Sequence, residues 1–333
     1  MRLRALLLAA GRGERLRPLS LEIPKPLLPV AGRTVAERSL AALADAGCRA
    51  IAVNLHHLGG AIRARLGDSF RGVPITYSHE TELQGTRGAL APLREFFAGA
   101  DLALVVNGDS LCAWPLVDLV RAHLAARRGG RGPAATLLVQ RTADPRPFGG
   151  GVAIERGEIV AFRREDLAWV GAAEHRVFAG AQVVEPRLLA AIPDGPGELI
   201  AGFYEPLLEA GERLATFATA RPWHDLGTPA RYLTGALDLG RRGLPAGTSR
   251  VVAGAEVAGG ARLARSLVEA GAKIGTRARL AESLVLPGAV VGERARLARV
   301  IVGPGVELAA GAEYSDVLLT RGVGDGLVAT QLF

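Results

Sequence analysis

The chain opens on an apolar run with no polar face, from Leu3 to Ala9, and this pattern predicts a strand covered on both sides. Similar short runs recur at Ile51–Leu55, Val73–Tyr77, Leu102–Asn107 and Ala134–Val139. Between them, apolar residues return at helical spacing. Thr34–Ala46 reads as a helix with Thr34 as N-cap, Glu37 three residues on and Gly47 closing its end. Leu58–Leu66, Thr86–Phe97 and Leu116–Ala126 read as helices by the same spacing. Strand and helix in alternation predict a doubly wound α/β sheet of Rossmann-like type, on which ligands bind beyond the carboxyl ends of the strands.

From Gly149 to Val184 the pattern turns antiparallel. FGGGVAIERGEIVAF predicts a hairpin turning at Arg156-Gly157, and Arg176–Val184 a further strand. Helical segments are expected at Pro186–Ile192 and Phe203–Ala210, a strand at Leu214–Thr219, and a helix at Pro229–Leu239 with proline at its first position. The first domain is expected to span residues 1–240, with 241–249 (RRGLPAGTS) as a linker.

The remainder, 250–333, is periodic. Glycines stand at 254, 271, 288, 305 and 322, a constant step of 17. Val257, Ile274, Val291 and Leu308 repeat in the same phase, as do Ala261, Ala278, Ala295 and Ala312, and Leu263, Leu280, Leu297 and Tyr314. Such a period means stacked coils. Within each repeat most apolar steps are six, as from Ile274 to Leu280. Three hexapeptide-like faces, one of them a residue short, make a turn of a left-handed parallel β-helix with alanines at its tight corners.

Composition narrows the partners. The net charge is +7, but the arginines are dispersed and aromatics are 5% of residues, so no nucleic-acid partner is expected. A modest positive excess suits small anionic ligands. Cys48 and Cys112 lie in apolar surroundings and read as reduced core residues. The apolar run Ala5–Ala10 is six residues, short for a secretory signal, and no segment approaches the ~20 needed to span a bilayer, so no membrane partner and a cytoplasmic location are expected. The basic residues number 40, of which only Lys25 and Lys273 are lysine. A compact ammonium retained between Pro24 and Pro26 suggests a place where a planar guanidinium does not fit.

The candidate chemistry starts where the first strand ends. Ala10-Gly11-Arg12-Gly13-Glu14-Arg15 is a glycine-rich turn whose backbone N–H groups can cradle phosphate, and Arg15 and Lys25 add two cations. Position 16 is Leu, so the dinucleotide-binding fingerprint is incomplete, and no phosphate-loop motif with a Gly-Lys-Ser/Thr end occurs. The stretch Leu8–Leu19 (LAAGRGERLRPL) with Pro24–Val30 (PKPLLPV) resembles the signature of the sugar-phosphate nucleotidylyltransferases, also called NDP-sugar pyrophosphorylases. Further segments match: SHETELQGTRGAL (78–90), VVNGDS around Asp109, and WHDLGTP around Asp225. Together with the β-helix they look most like the mannose-1-phosphate guanylyltransferase branch.

The resemblance implies transfer of a nucleoside monophosphate from an NTP, GTP favoured, to a sugar 1-phosphate, with Mg²⁺ as cofactor. It implies catalytic roles for Arg15 and Lys25, and contacts to the nucleotide from Leu8, Ala10, Gly11, Gly13, Glu80, Gly85 and Thr86, with Thr86 also capping the next helix. It assigns the metal to Asp109 and Asp225, and the sugar phosphate to Gly149, Arg163, Ala179, Gly180 and Glu198. The chain departs from the pattern after its hairpin, where Phe162-Arg163-Arg164-Glu165 replaces the family's Glu-Lys-Pro. Either an arginine holds the sugar phosphate or the sugar sits differently, so the identity of the sugar stays open. Uridylyl- or thymidylyltransferases acting on another hexose or heptose 1-phosphate are alternatives, as is a non-catalytic subunit that senses nucleotide sugars. No histidine lies beyond His224, so the acetyltransferase that some relatives carry on the β-helix is not expected. The coils instead suggest assembly into a homo-oligomer, or regulation.

Overall fold

The computed structural model describes residues 1–128, 130–141, 144, 148, 151–163, 174–322 and 326–332. The chain forms two compact units, each discontinuous in sequence. One comprises Met1–Gly11 with Ala36–Trp223, the other Arg12–Val35 with His224–Phe333.

The first unit is built on a ten-stranded sheet. Its order is Gly151–Glu155, Glu158–Arg163, Leu214–Thr219, Ala135–Gln140, Glu174–Val184, Leu102–Asn107, Leu3–Leu8, Cys48–Leu55, Val73–His79 and Ser69–Phe70. Leu102–Asn107, Leu3–Leu8, Cys48–Leu55 and Val73–His79 run parallel. Glu174–Val184 enters antiparallel, and the expected hairpin turns at Arg156-Gly157, both with positive φ. Leu3, Ala5, Leu6 and Leu7 are fully buried, as an apolar strand between two parallel partners requires. Cys48 and Cys112 are buried free thiols, and burial pushes each up to about 12.

Two expectations change. The single helix over Thr86–Phe97 is instead a turn of helix at Gly85–Gly88, a 3-10 turn at Ala91–Leu93 and a second short helix at Arg94–Phe97. Pro92 is the cause: it has no N–H to give, and its ring clashes with the carbonyl four residues back. The helix after Thr34 spans Val35–Asp45, and Thr34 itself pairs with Pro29 in a two-stranded hairpin.

Helix Leu116–Arg127 packs on the strands at Ala135–Gln140, Glu174–Val184 and Leu214–Thr219. It carries His123, fully buried, with Nδ1 at 2.8 Å from Thr136 Oγ1 and Nε2 at 3.0 Å from Glu185 Oε1. Burial holds this imidazole below its ordinary 6.5, against the opposing pull of Glu185.

The second unit contains the coils. Short parallel strands stack in three faces, with Leu263, Leu280, Leu297 and Tyr314 in register on one, and Val257, Ile274, Val291 and Leu308 on another. Ala278 and Ala295 are fully buried, as tight corners demand. Ser266 and Ser283 extend a corner ladder: each hydroxyl donates to a carbonyl of its own coil and accepts an N–H from the next. Charged residues in left-handed conformation pair across coils, Arg265 with Glu282 and Arg299 with Asp316. On two faces the outward residues are exposed, among them Arg279 and Lys273. On the third both positions are buried, because helix Pro229–Gly240 lies across Leu267–Val268 and Leu284–Val285.

Two outcomes follow from this packing. Leu297→Ala empties a layer of the coil interior and lowers unfolding free energy by about 2–5 kcal/mol in urea titration; a loss below about 1 kcal/mol contradicts the packing. His123 binds its proton more weakly folded than unfolded, so its contribution to stability is complete above 6.5 and fades as pH falls through the folded value. Unfolding free energy therefore declines on acidification below 6.5, and His123→Gln flattens that slope; an unchanged slope refutes the assignment.

Candidate active site

Leu8 and Asn107 are register partners at the carboxyl ends of two neighbouring parallel strands. From Leu3–Leu8 the chain continues to Cys48–Leu55 on one side, whereas Leu102–Asn107 lies on the other. Here the strand order reverses, which is where open α/β sheets bind ligands. The two exits approach closely: the Gly108 N–H donates to Leu8 O at 2.8 Å, and a Cβ at Gly108 would stand 2.6 Å from that oxygen. Asp109 follows, half-buried. On the other exit Ala10 is buried, and Gly11 is exposed with open space around its Cβ position.

A chain of buried hydrogen bonds ties this exit to the next two strands. The Ala9 N–H donates to Asn54 Oδ1 at 2.7 Å, and Asn54 Nδ2 donates to Glu80 Oε1 at 2.7 Å. Glu80 Oε2 in turn accepts the Gln84 N–H at 2.9 Å. The geometry therefore makes Glu80 a fastening of the turn before Gly85. Gly85 has φ +72, and a Cβ there would stand 2.6 Å from Gly197 O, so its close approach is to the chain's own backbone. Thr86 is not the helix cap expected of it. Its hydroxyl donates to Glu198 Oε2 at 2.8 Å and accepts the Leu199 N–H at 2.8 Å. Gly85, Thr86 and Glu198 are thus brought together, and Glu198 is exposed.

On the antiparallel side, Ala179 O accepts the Trp223 indole N–H at 2.9 Å. Gly180 faces Asn107, whose Nδ2 would lie 2.9 Å from a Cβ there. Gly149 lies outside the described residues. Arg163 ends the strand Glu158–Arg163, and its side chain lies outside them too.

The second unit holds the other candidates. The carbonyl of Gly13 accepts from Ser20 Oγ at 2.7 Å. A Cβ at Gly13 would stand 3.2 Å from Lys25 Cγ, so the glycine turn closes against the lysine stem. Lys25 is buried, in a 3-10 turn at Lys25–Leu27. Arg15 lies in the 3-10 turn Glu14–Leu16 and is exposed. Arg15 and Asp225 both flank Gly227: a Cβ there would stand 3.0 Å from Arg15 Nη2 and 2.9 Å from Asp225 Oδ2. Arg231, in the first turn of the helix from Pro229, pairs with Asp225 Oδ2 at 2.5 Å.

Sequence reading missed Asn54, Asn107, Trp223 and Arg231. The first two had a visible signal, an amide at the carboxyl end of an otherwise apolar strand. Arg231 was one of many arginines, and only the fold sets it against Asp225.

Among the described residues no three or more His, Cys, Asp or Glu side chains gather to hold a metal. Asp109 and Asp225 are half-buried carboxylates in different units. Each carboxylate by itself is the hard oxygen donor that magnesium takes, with phosphate and water oxygens completing its shell.

Residues 4–166 match the family described as Nucleotidyl transferase, and residues 229–314 match the GlmU-like, C-terminal hexapeptide family. The mannose-1-phosphate guanylyltransferase of Mycobacterium tuberculosis is 32% identical over 271 residues, covering 78% of this chain and 72% of that protein. The mannose-1-phosphate guanylyltransferase catalytic subunit beta of Drosophila melanogaster is 31% identical over 235 residues, covering 70% of this chain. The match spans 61% of the fly protein's length. Among solved structures, HddC from Yersinia pseudotuberculosis complexed with GMP-PN shares the fold, with a TM-score of 0.58 at 20% identity over 72% of this chain and all of that one. By the extent of these matches, the chain belongs to the nucleotidyl transferase family.

Proposed function

We propose that this protein transfers a nucleoside monophosphate from an NTP to a sugar 1-phosphate, giving an NDP-sugar and pyrophosphate, with GTP and mannose 1-phosphate as the favoured pair. One observation carries the reading: the glycine turn of the family signature closes on a buried Lys25, while Arg15 from the same segment and Asp225 both flank Gly227. The guanylyltransferase relatives support the choice of base and sugar.

In this mechanism a sugar 1-phosphate oxygen attacks the α-phosphorus in line. The new oxygen–phosphorus bond forms as the bond to the bridging oxygen breaks, and pyrophosphate leaves with the electron pair. The nucleophile is already an anion, so no general base is required. The backbone N–H groups around Gly11 and Gly13 hold the phosphates, and Arg15 and Lys25 neutralise charge that grows on the leaving group. Leu8, Ala10, Gly85 and Thr86 border the nucleoside, with Glu80 holding their turn in place. On the resemblance of their segments, Gly149, Arg163, Ala179, Gly180 and Glu198 are assigned to the sugar phosphate. Asp109 and Asp225 are the residues that would hold Mg²⁺, which when bound would supply Lewis-acid neutralisation of phosphate charge. The reaction belongs to the cytoplasm, where NTPs are made, and the exposed coil faces suit a homo-oligomer. Among the described residues no helix is long and apolar enough to cross a membrane.

Pyrophosphate release across four NTPs and a panel of hexose and heptose 1-phosphates tests the reading. Turnover with GTP and mannose 1-phosphate is expected; a nucleotide-sugar binder that releases no pyrophosphate with any pair refutes it. Asp109→Asn and Asp225→Asn each lower kcat by more than about 100-fold while circular dichroism and melting temperature hold. Near-normal kcat in either variant removes that residue from the metal site. Lys25→Arg keeps the charge but not the compact ammonium, and lowers kcat/KM for the NTP by about tenfold or more. Retention of full activity would show that any cation serves there.

A further inference from the structure

Glu269 breaks the repeat in which it stands. One coil before and after it, the same position holds Val252 and Leu286, and the following coil has Gly303. A carboxylate in this place is 1% exposed. Burying a charge where the repeat offers an aliphatic side chain costs free energy unless the charge is met.

What meets it is a hairpin more than two hundred residues upstream. Oε1 accepts the Ala31 N–H at 2.6 Å, and Oε2 accepts the Gly32 N–H at 2.8 Å. Ala31 and Gly32 form the two-residue loop between Val30 and Arg33, with φ of 51° and 78°. Two positive φ values in such a loop are the mark of the tight hairpin turn, and at Ala31 that conformation is strained. A strained loop persists where its surroundings over-determine it, and here both of its outward N–H groups are held by one carboxylate. The neighbouring contacts belong to the same anchorage. Tyr232, fully buried, donates its hydroxyl to Pro29 O at 2.7 Å, and a Cβ at Gly32 would stand 3.0 Å from Val252 Cγ1.

The hairpin closes the segment that carries Arg15 and Lys25, and Lys25 is four residues before Pro29. We propose that Glu269 is a positioning residue: from the β-helix it fixes the hairpin at Ala31-Gly32 and thereby the cationic segment before it, so that the coils set the affinity of the triphosphate end of the site. This rests on the function proposed above for that segment.

The test compares the full-length protein with Glu269→Gln and Glu269→Ala by three measurements: amide exchange over residues 24–35 without ligand, GTP affinity by calorimetry, and steady-state kinetics. Glutamine keeps one acceptor oxygen, alanine none. Protection at Ala31 and Gly32 is expected to fall in the order wild type, Gln, Ala. GTP Kd and the KM for NTP are expected to rise by about 10- to 100-fold in the alanine variant, with the KM for sugar 1-phosphate within about twofold of wild type. Unchanged exchange overturns the clamp. Lost protection with unchanged GTP affinity, or a fall in kcat alone through a smaller active fraction, overturns the coupling. A wild-type protein that turns over no NTP defeats the functional reading instead, and the exchange and GTP titrations then decide this proposal without it.

Discussion

The parallel register of Leu3–Leu8 between Leu102–Asn107 and Cys48–Leu55 is the constraint on which the first unit depends. A strand buried on both faces and paired on both edges can release its chain only at its ends. At the carboxyl end the release is shared: Leu8 and Asn107 leave side by side, bound by the Gly108 N–H on Leu8 O. Ala10 and Gly11 on one exit and Asp109 on the other are thereby delivered to the same edge of the sheet. The Asn54–Glu80 chain of hydrogen bonds then fastens the turn before Gly85 to that edge.

In the second unit a different constraint holds the cations. Residues 12–35 form little regular structure, three 3-10 turns and a two-stranded hairpin, and could not hold Arg15 or Lys25 by themselves. They are held by a helix and a β-helix. Tyr232 takes Pro29 O, Glu269 takes the hairpin amides, and Arg321 pairs with Glu22 at 3.3 Å. A β-helix suits this task because each coil is pinned by two neighbours and its corners are cross-linked by pairs such as Arg265 with Glu282.

Much of this was legible in the residues. Short apolar runs announced the parallel strands because strands covered on both faces need no polar side. The glycine step of 17 announced the coils, since only stacking keeps branched apolar residues in phase. What was not legible came from contacts remote in sequence. The Thr86 hydroxyl was read as a cap from its neighbours, whereas it reaches Glu198 and Leu199. Glu80 reads as a contact to the base, and nothing in its neighbours announces that Asn54 and the Gln84 amide also bind its two oxygens. Glu269 was visible as an interruption of the repeat, but its partners lie in the N-terminal segment and nothing local names them. The break at Pro92 was readable by ordinary stereochemistry and was overridden by the apolar spacing around it.

Everything proposed for the reaction turns on which phosphorus is attacked. Incubation with mannose 1-phosphate and GTP labelled at either the α- or the γ-phosphorus, followed by separation of the products, measures this directly. Label from the α-position is expected in the nucleotide sugar and label from the γ-position in pyrophosphate. Passage of the γ-label to the sugar, or retention of both labels in GTP, would contradict the account.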